Sequence, residues 1–162
     1  MKNILLSFLC FVSIYSCIDM KIHSKQRTSS NNKDFNKKLA DSLGADERGM
    51  KNYMLIILKT GPKDAEIIDK EKRAALFKGH FSNMEAMEKA EKLKLAGPFA
   101  SKNNLQYRGI FILDVKTEEE AKELLQNDPT IKSGVFEAEI LPWYGSAAIP
   151  MHLKYHKMIS LQ

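Results

Sequence analysis

Residues 107–146 read YRGIFILDVKTEEEAKELLQNDPTIKSGVFEAEILPWYGS, and the fold follows from this stretch. Tyr107 to Val115 is rich in β-branched and aromatic residues, which predicts a strand. Thr117 is a good N-cap, and Glu118, Glu119 and Glu120 behind it favour the positive end of a helix dipole. Glu120 stands third after the cap, so TEEE reads as a capping box. Ala121, Leu124 and Leu125 give this helix an apolar side. It stops by Asn127-Asp128-Pro129, because Pro129 disfavours helical backbone at Asp128. Val135 to Trp143 predicts another strand. In it Val135, Glu137, Glu139 and Leu141 alternate with Phe136, Ala138 and Ile140, leaving one face polar at mid-strand.

A similar unit precedes it. Tyr53 to Lys59 (YMLIILK) reads as a buried strand closed by the turn signal Gly61-Pro62. Asp64 to Leu95 is rich in Ala, Glu, Lys, Leu and Met, and predicts a helix. At about 100° per residue, Leu76, Phe77, Met84, Met87 and Ala90 share one stripe. Leu95 to Ala100 (LAGPFA) breaks that helix into a short extended piece, and Lys102-Asn103-Asn104 signals a turn before Tyr107. The order is β-α-β-β-α-β over about ninety residues, the ferredoxin-like split βαβ pattern of the α+β class. Its four-stranded antiparallel sheet carries both helices on one face. The other face needs a cover, because an exposed apolar sheet is a liability. A second copy of the sheet is the common cover, giving a homodimer of the dimeric α/β barrel type. Residues 147–162 predict an added C-terminal helix.

The N-terminal part differs in kind. Residues 1–17 read MKNILLSFLCFVSIYSC. Lys2 is followed by an uncharged apolar run from Ile4 to Tyr15. That run is short of the roughly 20 residues a spanning helix needs, and it has the length of a secretory signal core. Ser13-Ile14-Tyr15-Ser16-Cys17 resembles a bacterial lipobox, in which the Cys thiol receives a diacylglycerol. The expectation is a signal peptide over 1–16 and a lipidated tether over 17–50, with the folded domain over 51–146. Two or more acyl chains anchor stably, so the protein is expected at the bacterial cell envelope, touching the membrane through its lipid only. The cysteines are Cys10 and Cys17; cleavage before Cys17 leaves no thiol for a disulfide, a metal or a nucleophile.

Charge narrows the partners. The chain has 162 residues, 44% hydrophobic and 28% charged, and a net charge of +5. Residues 1–50 hold eight Lys/Arg and five Asp/Glu, a net of +3; residues 51–162 hold seventeen and fifteen, a net of +2. The domain is nearly balanced and shows no basic cluster with interleaved aromatics, so no nucleic-acid partner is expected. No Gly-rich phosphate loop, zinc pattern or nucleophile elbow is present. His152 and His156 are spaced i, i+4 as metal ligands can be, but without a third ligand. The reading carries no cofactor and no metal.

Residues 53–146 resemble the YciI-like (YCII-related) domain family. The resemblance rests on Gly79-His80, Ala96-Gly97-Pro98, Arg108-Gly109, Glu120-Ala121, Asp128-Pro129, Gly134-Val135-Phe136-Glu137 and Pro142-Trp143-Tyr144-Gly145-Ser146, in that order. It implies a ferredoxin-like fold, usually dimeric, with a His–Asp site in a cleft. Some relatives are linked to dehydrochlorination or lactone chemistry. Many members also carry an acid soon after the Gly-Pro motif. Here Phe99 to Asn104 (FASKNN) has none.

The residues themselves single out His80. It falls in the apolar stripe of the long helix, about 40° from Leu76, with Arg73 at about 60°. A polar group in that stripe must be paired or must line a cleft. Asp128 is the expected partner, since a carboxylate beside an imidazole fixes its tautomer and makes it a usable acid or base. Asp before Pro is also a favoured cap. Arg73, Arg108, Trp143, Tyr144 and Ser146 are the candidates for binding a small anionic or aromatic ligand. Two readings stand: a small-molecule lyase or isomerase using His80 and Asp128, or a non-catalytic ligand-binding or scaffold lipoprotein.

Overall fold

The computed structural model describes residues 32–161. The expected signal peptide, Cys17 and the first part of the tether, through residue 31, lie outside the described residues. Residues 32–35 form a turn closed by the Phe35 N–H on the Asn32 carbonyl. The chain from Asn36 onward is a separate unit.

That unit starts earlier than the boundary at residue 51. α1 spans Lys37–Leu43, capped by the Asn36 side chain and stopped by Gly44 at φ 68°. Asp46 Oδ1 then accepts the N–H groups of Arg48 and Met50, and this turn feeds β1, Met50–Thr60. Local capping chemistry therefore orders the last part of the expected tether. Within the described residues no helix is long and apolar enough to cross a membrane.

α2 covers Lys70–Lys89 and is followed by β2, Leu93–Pro98. The helix is shorter than Asp64 to Leu95. It begins where the Asp69 carboxylate caps Lys72 N–H, and it ends before Glu91, whose φ of 56° leaves helical geometry. β3 is Tyr107–Leu113 and α3 is Glu118–Leu125. Thr117 caps α3 as expected. Glu120 reaches back to accept the Lys116 N–H, one residue beyond the Thr117 N–H that a capping box would use. A one-turn helix α4, Pro129–Lys132, precedes β4, Phe136–Ser146. A 3₁₀ turn at Ile149–Met151 leads into α5, His152–Ile159, the expected C-terminal helix.

The strand order is β2-β3-β1-β4 with every neighbour antiparallel, which is the ferredoxin-like arrangement. Met54, Ile56 and Leu58 of β1 meet Phe111 and Leu113 of β3 and, from the helices, Met87, Ala121 and Leu125. Alternation places Tyr53, Leu55 and Ile57 on the opposite face. Ala90, expected on the buried stripe, is exposed at the end of α2.

The 3₁₀ turn lies against β2. β2 and β4 are opposite edges, so the chain leaving β4 returns across the width of the sheet. Tyr53, on the face away from the core, is fully buried and donates its hydroxyl to the Ser146 carbonyl.

Candidate active site

His80 lies on the sheet-facing side of α2, and Asp128 caps α4. Gly79 makes their approach feasible. A Cβ at Gly79 would stand 2.5 Å from Pro129 Cγ, so only glycine lets the two helices close to this distance. Asp128 is extended (φ −80°, ψ 117°), as the following proline demands.

The two side chains meet. His80 Nδ1 is 2.5 Å from Asp128 Oδ2. The other carboxylate oxygen accepts two bonds from Thr130, from the backbone N–H at 2.9 Å and from Oγ1 at 2.7 Å. Asp128 thus serves as a cap through Oδ1 and as the histidine's partner through Oδ2. All three residues are buried, Asp128 and Thr130 completely. Burial by itself pushes the Asp128 carboxyl up. The hydrogen bonds from His80 and Thr130 and the attraction of His80 outweigh it and hold the carboxyl below its usual range.

An ionised Asp128 requires His80 Nδ1 to carry the proton. In the neutral ring Nε2 then holds the free electron pair. Among the described residues Nε2 has no hydrogen-bond partner, yet no buried polar side-chain atom is left unpaired. Nε2 therefore opens onto a cavity, and His80 lines one of about 210 Å³ between α2 and the sheet. Its walls include Leu58, Phe77, Phe81, Met84, Phe111 and Phe136, and its rim includes Pro98, Arg108 and Gly109. Phe111 stacks on the imidazole at 5.8 Å between centroids, while Phe77, Phe81 and Phe136 meet it edge-on at 5.4 to 6.2 Å. An apolar cavity of about 150 Å³ accepts benzene, so this one suits a small ring with one or two substituents. Larger hollows exist on the surface, but none of them contains His80.

The other sequence candidates divide. Arg108 joins the site: it lines the cavity, and its guanidinium lies 5.6 Å from the Phe136 ring. Arg73 does not. Its guanidinium turns to the loop before α2, pairing with Asp64 Oδ1 at 2.5 Å and donating to the carbonyls of Asp64 and Ile67. A nearby carboxylate and free carbonyls outcompete an apolar cleft for a cation. Trp143, Tyr144 and Ser146 also fall outside. Seven positions of β4 separate Trp143 from Phe136, roughly 20 Å at strand rise, which carries them to the far end of the sheet. There Trp143 packs on Tyr53 and over Gly145, Tyr144 donates its hydroxyl to Asp46, and Ser146 Oγ accepts the Ala148 N–H.

Thr130 and the phenylalanine walls were not singled out by the sequence. The Asp-Pro-Thr run carried a signal for Thr130, because an Asp side chain often accepts the backbone N–H two positions on. For the walls, the signal lay in Phe111 and Phe136 sharing the inward register of their strands.

Comparison with known proteins gives the family. The YCII-related domain family matches residues 52–144. The uncharacterized protein YjpA of Bacillus subtilis (strain 168) is 27% identical over 94 residues, covering 58% of this chain and 95% of that protein. A solved structure of 5-chloro-2-hydroxyhydroquinone dehydrochlorinase (TftG) from Burkholderia phenoliruptrix AC1100, in complex with 2,5-dihydroxybenzoquinone, has a TM-score of 0.43. It is 20% identical and covers 56% of this chain and 92% of its own. With the family match spanning more than half of its length, this chain belongs to the YCII-related domain family.

Proposed function

We propose that the protein is a small-molecule lyase or isomerase in which His80 Nε2 is the general base and Asp128 its orienting partner. The observation that carries this reading is the buried His80–Asp128 pair, with its free ring nitrogen facing a ligand-sized cavity. Nε2 takes a proton from carbon, and the imidazolium so formed is stabilised by the carboxylate on Nδ1. His80 and Arg108 are the ionisable groups lining the cavity. One base then does the work in two ways: it returns the proton to a second carbon, or the released electron pair expels a leaving group that departs as an anion. The first is an isomerisation and the second an elimination.

Ligand binding without turnover is the second reading. It is favoured by the loop after Gly97-Pro98, which offers Ser, Lys and Asn but no carboxylate to act as a second acid.

In this proposal the domain is held at the bacterial envelope through a lipid on Cys17. The sequence of the apolar core ending at Ser16-Cys17 supports that part. The domain pairs as a homodimer through the sheet face away from α2, supported by partly exposed Leu55, Ile57 and Leu141 on that face.

A thermal-shift screen with small carboxylates and lactones, followed by deuterium uptake from D₂O into those that bind, tests the reading. Wild-type protein should exchange a carbon-bound proton, and His80→Asn should slow exchange by roughly 10²- to 10⁴-fold. Exchange at an undiminished rate in His80→Asn would overturn the role of His80.

A further inference from the structure

Resting on the cavity reading above, we infer that the hollow beside the His80 cavity is an anion subsite. The ligand is then a two-part molecule, with a ring in the cavity and a carboxylate on Arg108 and Lys102. The hollow holds about 480 Å³, is formed mainly by the β2–β3 loop, and shares Arg108 with the cavity.

Its charge is positive. Lys102 and Arg108 line it, and among the described residues neither has a carboxylate partner. The acid on its wall, Asp64, is already occupied by Arg73 at 2.5 Å. The hollow therefore presents two cations without a carboxylate partner, Arg108 donating to the Thr60 hydroxyl at 3.5 Å, and one neutralised acid. A carboxylate arriving there gains a charge-assisted hydrogen bond without displacing an existing pair.

The loop is built rather than loose. Gln106 adopts φ 58°, a left-handed conformation that L-residues hold only when their surroundings enforce it. Its carbonyl accepts the Thr60 N–H at 2.9 Å, and its own N–H donates to the Asn103 carbonyl at 3.0 Å. The Asn103 side chain brackets Tyr107, donating to its carbonyl at 2.9 Å and accepting its N–H at 3.0 Å. These bonds fix the backbone immediately ahead of Arg108, so little ordering cost remains at binding.

One ring connects the two subsites. Phe136 packs against His80 at 5.5 Å and carries the Arg108 guanidinium at 5.6 Å. A ligand ring seated beside Phe136 faces Nε2, while a carboxylate one or two bonds off that ring meets Arg108 at the rim.

Isothermal titration of the full chain with phenylacetate and with the neutral phenylacetamide tests the subsite. Wild-type protein should bind the acid about tenfold more tightly than the amide, the increment of one charge-assisted hydrogen bond. Arg108→Gln should abolish that preference, with circular dichroism and a cooperative melt showing that the variant is folded. Lys102→Gln should reduce the preference by about two- to threefold, as expected for an exposed, screened charge. Equal binding of acid and amide by wild type, or a preference that survives Arg108→Gln, overturns the anion subsite and leaves the cavity reading intact. Binding of neither probe overturns the cavity as a ring site and the anion subsite with it.

Discussion

Gly79 and Pro129 stand in contact across the α2–α4 interface, and a Cβ on Gly79 would come within 2.5 Å of Pro129 Cγ. Each is the chain neighbour of a dyad residue, Gly79 of His80 and Pro129 of Asp128. The spacing of the dyad is therefore set by a glycine that has no polar role of its own.

Gly79→Ala separates two effects of opposite sign. Helix propensity alone predicts a gain of about 1 kcal/mol. Overpacking against a rigid proline ring predicts a loss of about 1–3 kcal/mol, and at 2.5 Å the steric effect should win. Chemical denaturation should show net destabilisation together with weaker ligand binding. A more stable variant would mean that α4 yields easily and that Gly79 does not set the dyad.

Asp128 predicts the acid limb of stability. Its carboxyl is held below the usual range in the folded state. The stability it contributes is therefore fully present above the ordinary carboxylate range, and is lost as pH falls through the lower folded value. Asp128→Asn should cost about 1–3 kcal/mol near neutral pH, since His80 and Thr130 lose a charged acceptor. The gap between the two proteins should close as the pH is lowered through that range. A gap in melting temperature that is constant with pH would show that Asp128 is not ionised in the fold.

The fold was legible in the sequence because period and capping agreed. β1, β3, α3 and β4 each had an alternating or apolar run bounded by a cap, a glycine or a proline. Ends set by side-chain geometry were less legible. Nothing local marked Asp69 over Asp64 as the cap of α2, and the ordering of residues 37–50 depends on Asn36 and Asp46 bonding to nearby backbone. The contact between His80 and Asp128 was legible because a polar residue interrupted an apolar stripe and an acid preceded a proline. Arg73 misled because the helical wheel gives a direction for the Cβ, whereas a long side chain follows its nearest carboxylate, here Asp64. Trp143, Tyr144 and Ser146 misled because composition suits a pocket, while position along β4 is a matter of register with β1.

The sheet face away from α2 should hold a second copy of the chain. Sedimentation at micromolar concentration should give twice the protomer mass. Ile57→Lys, on that face between Ile110 and Glu139, should yield a folded monomer. A wild-type monomer would contradict the proposed pairing, and would mean that the segment crossing from β4 to β2 is cover enough.

Cys17 should be acylated. Labelled fatty acid should enter the wild-type protein in a bacterial host and be absent from Cys17→Ser, which should leave the membrane fraction. Equal labelling of both would remove the lipid anchor from the account.

The central claim is that Asp128 fixes His80 with its proton on Nδ1 and its free pair on Nε2, toward the cavity. Nitrogen-15 NMR of the neutral imidazole ring reads this directly. The account predicts the Nδ1–H tautomer in wild-type protein, and loss of that fixed tautomer in Asp128→Ala. A wild-type ring protonated on Nε2 would contradict it, because His80 would then present a donor to the ligand where a base is required.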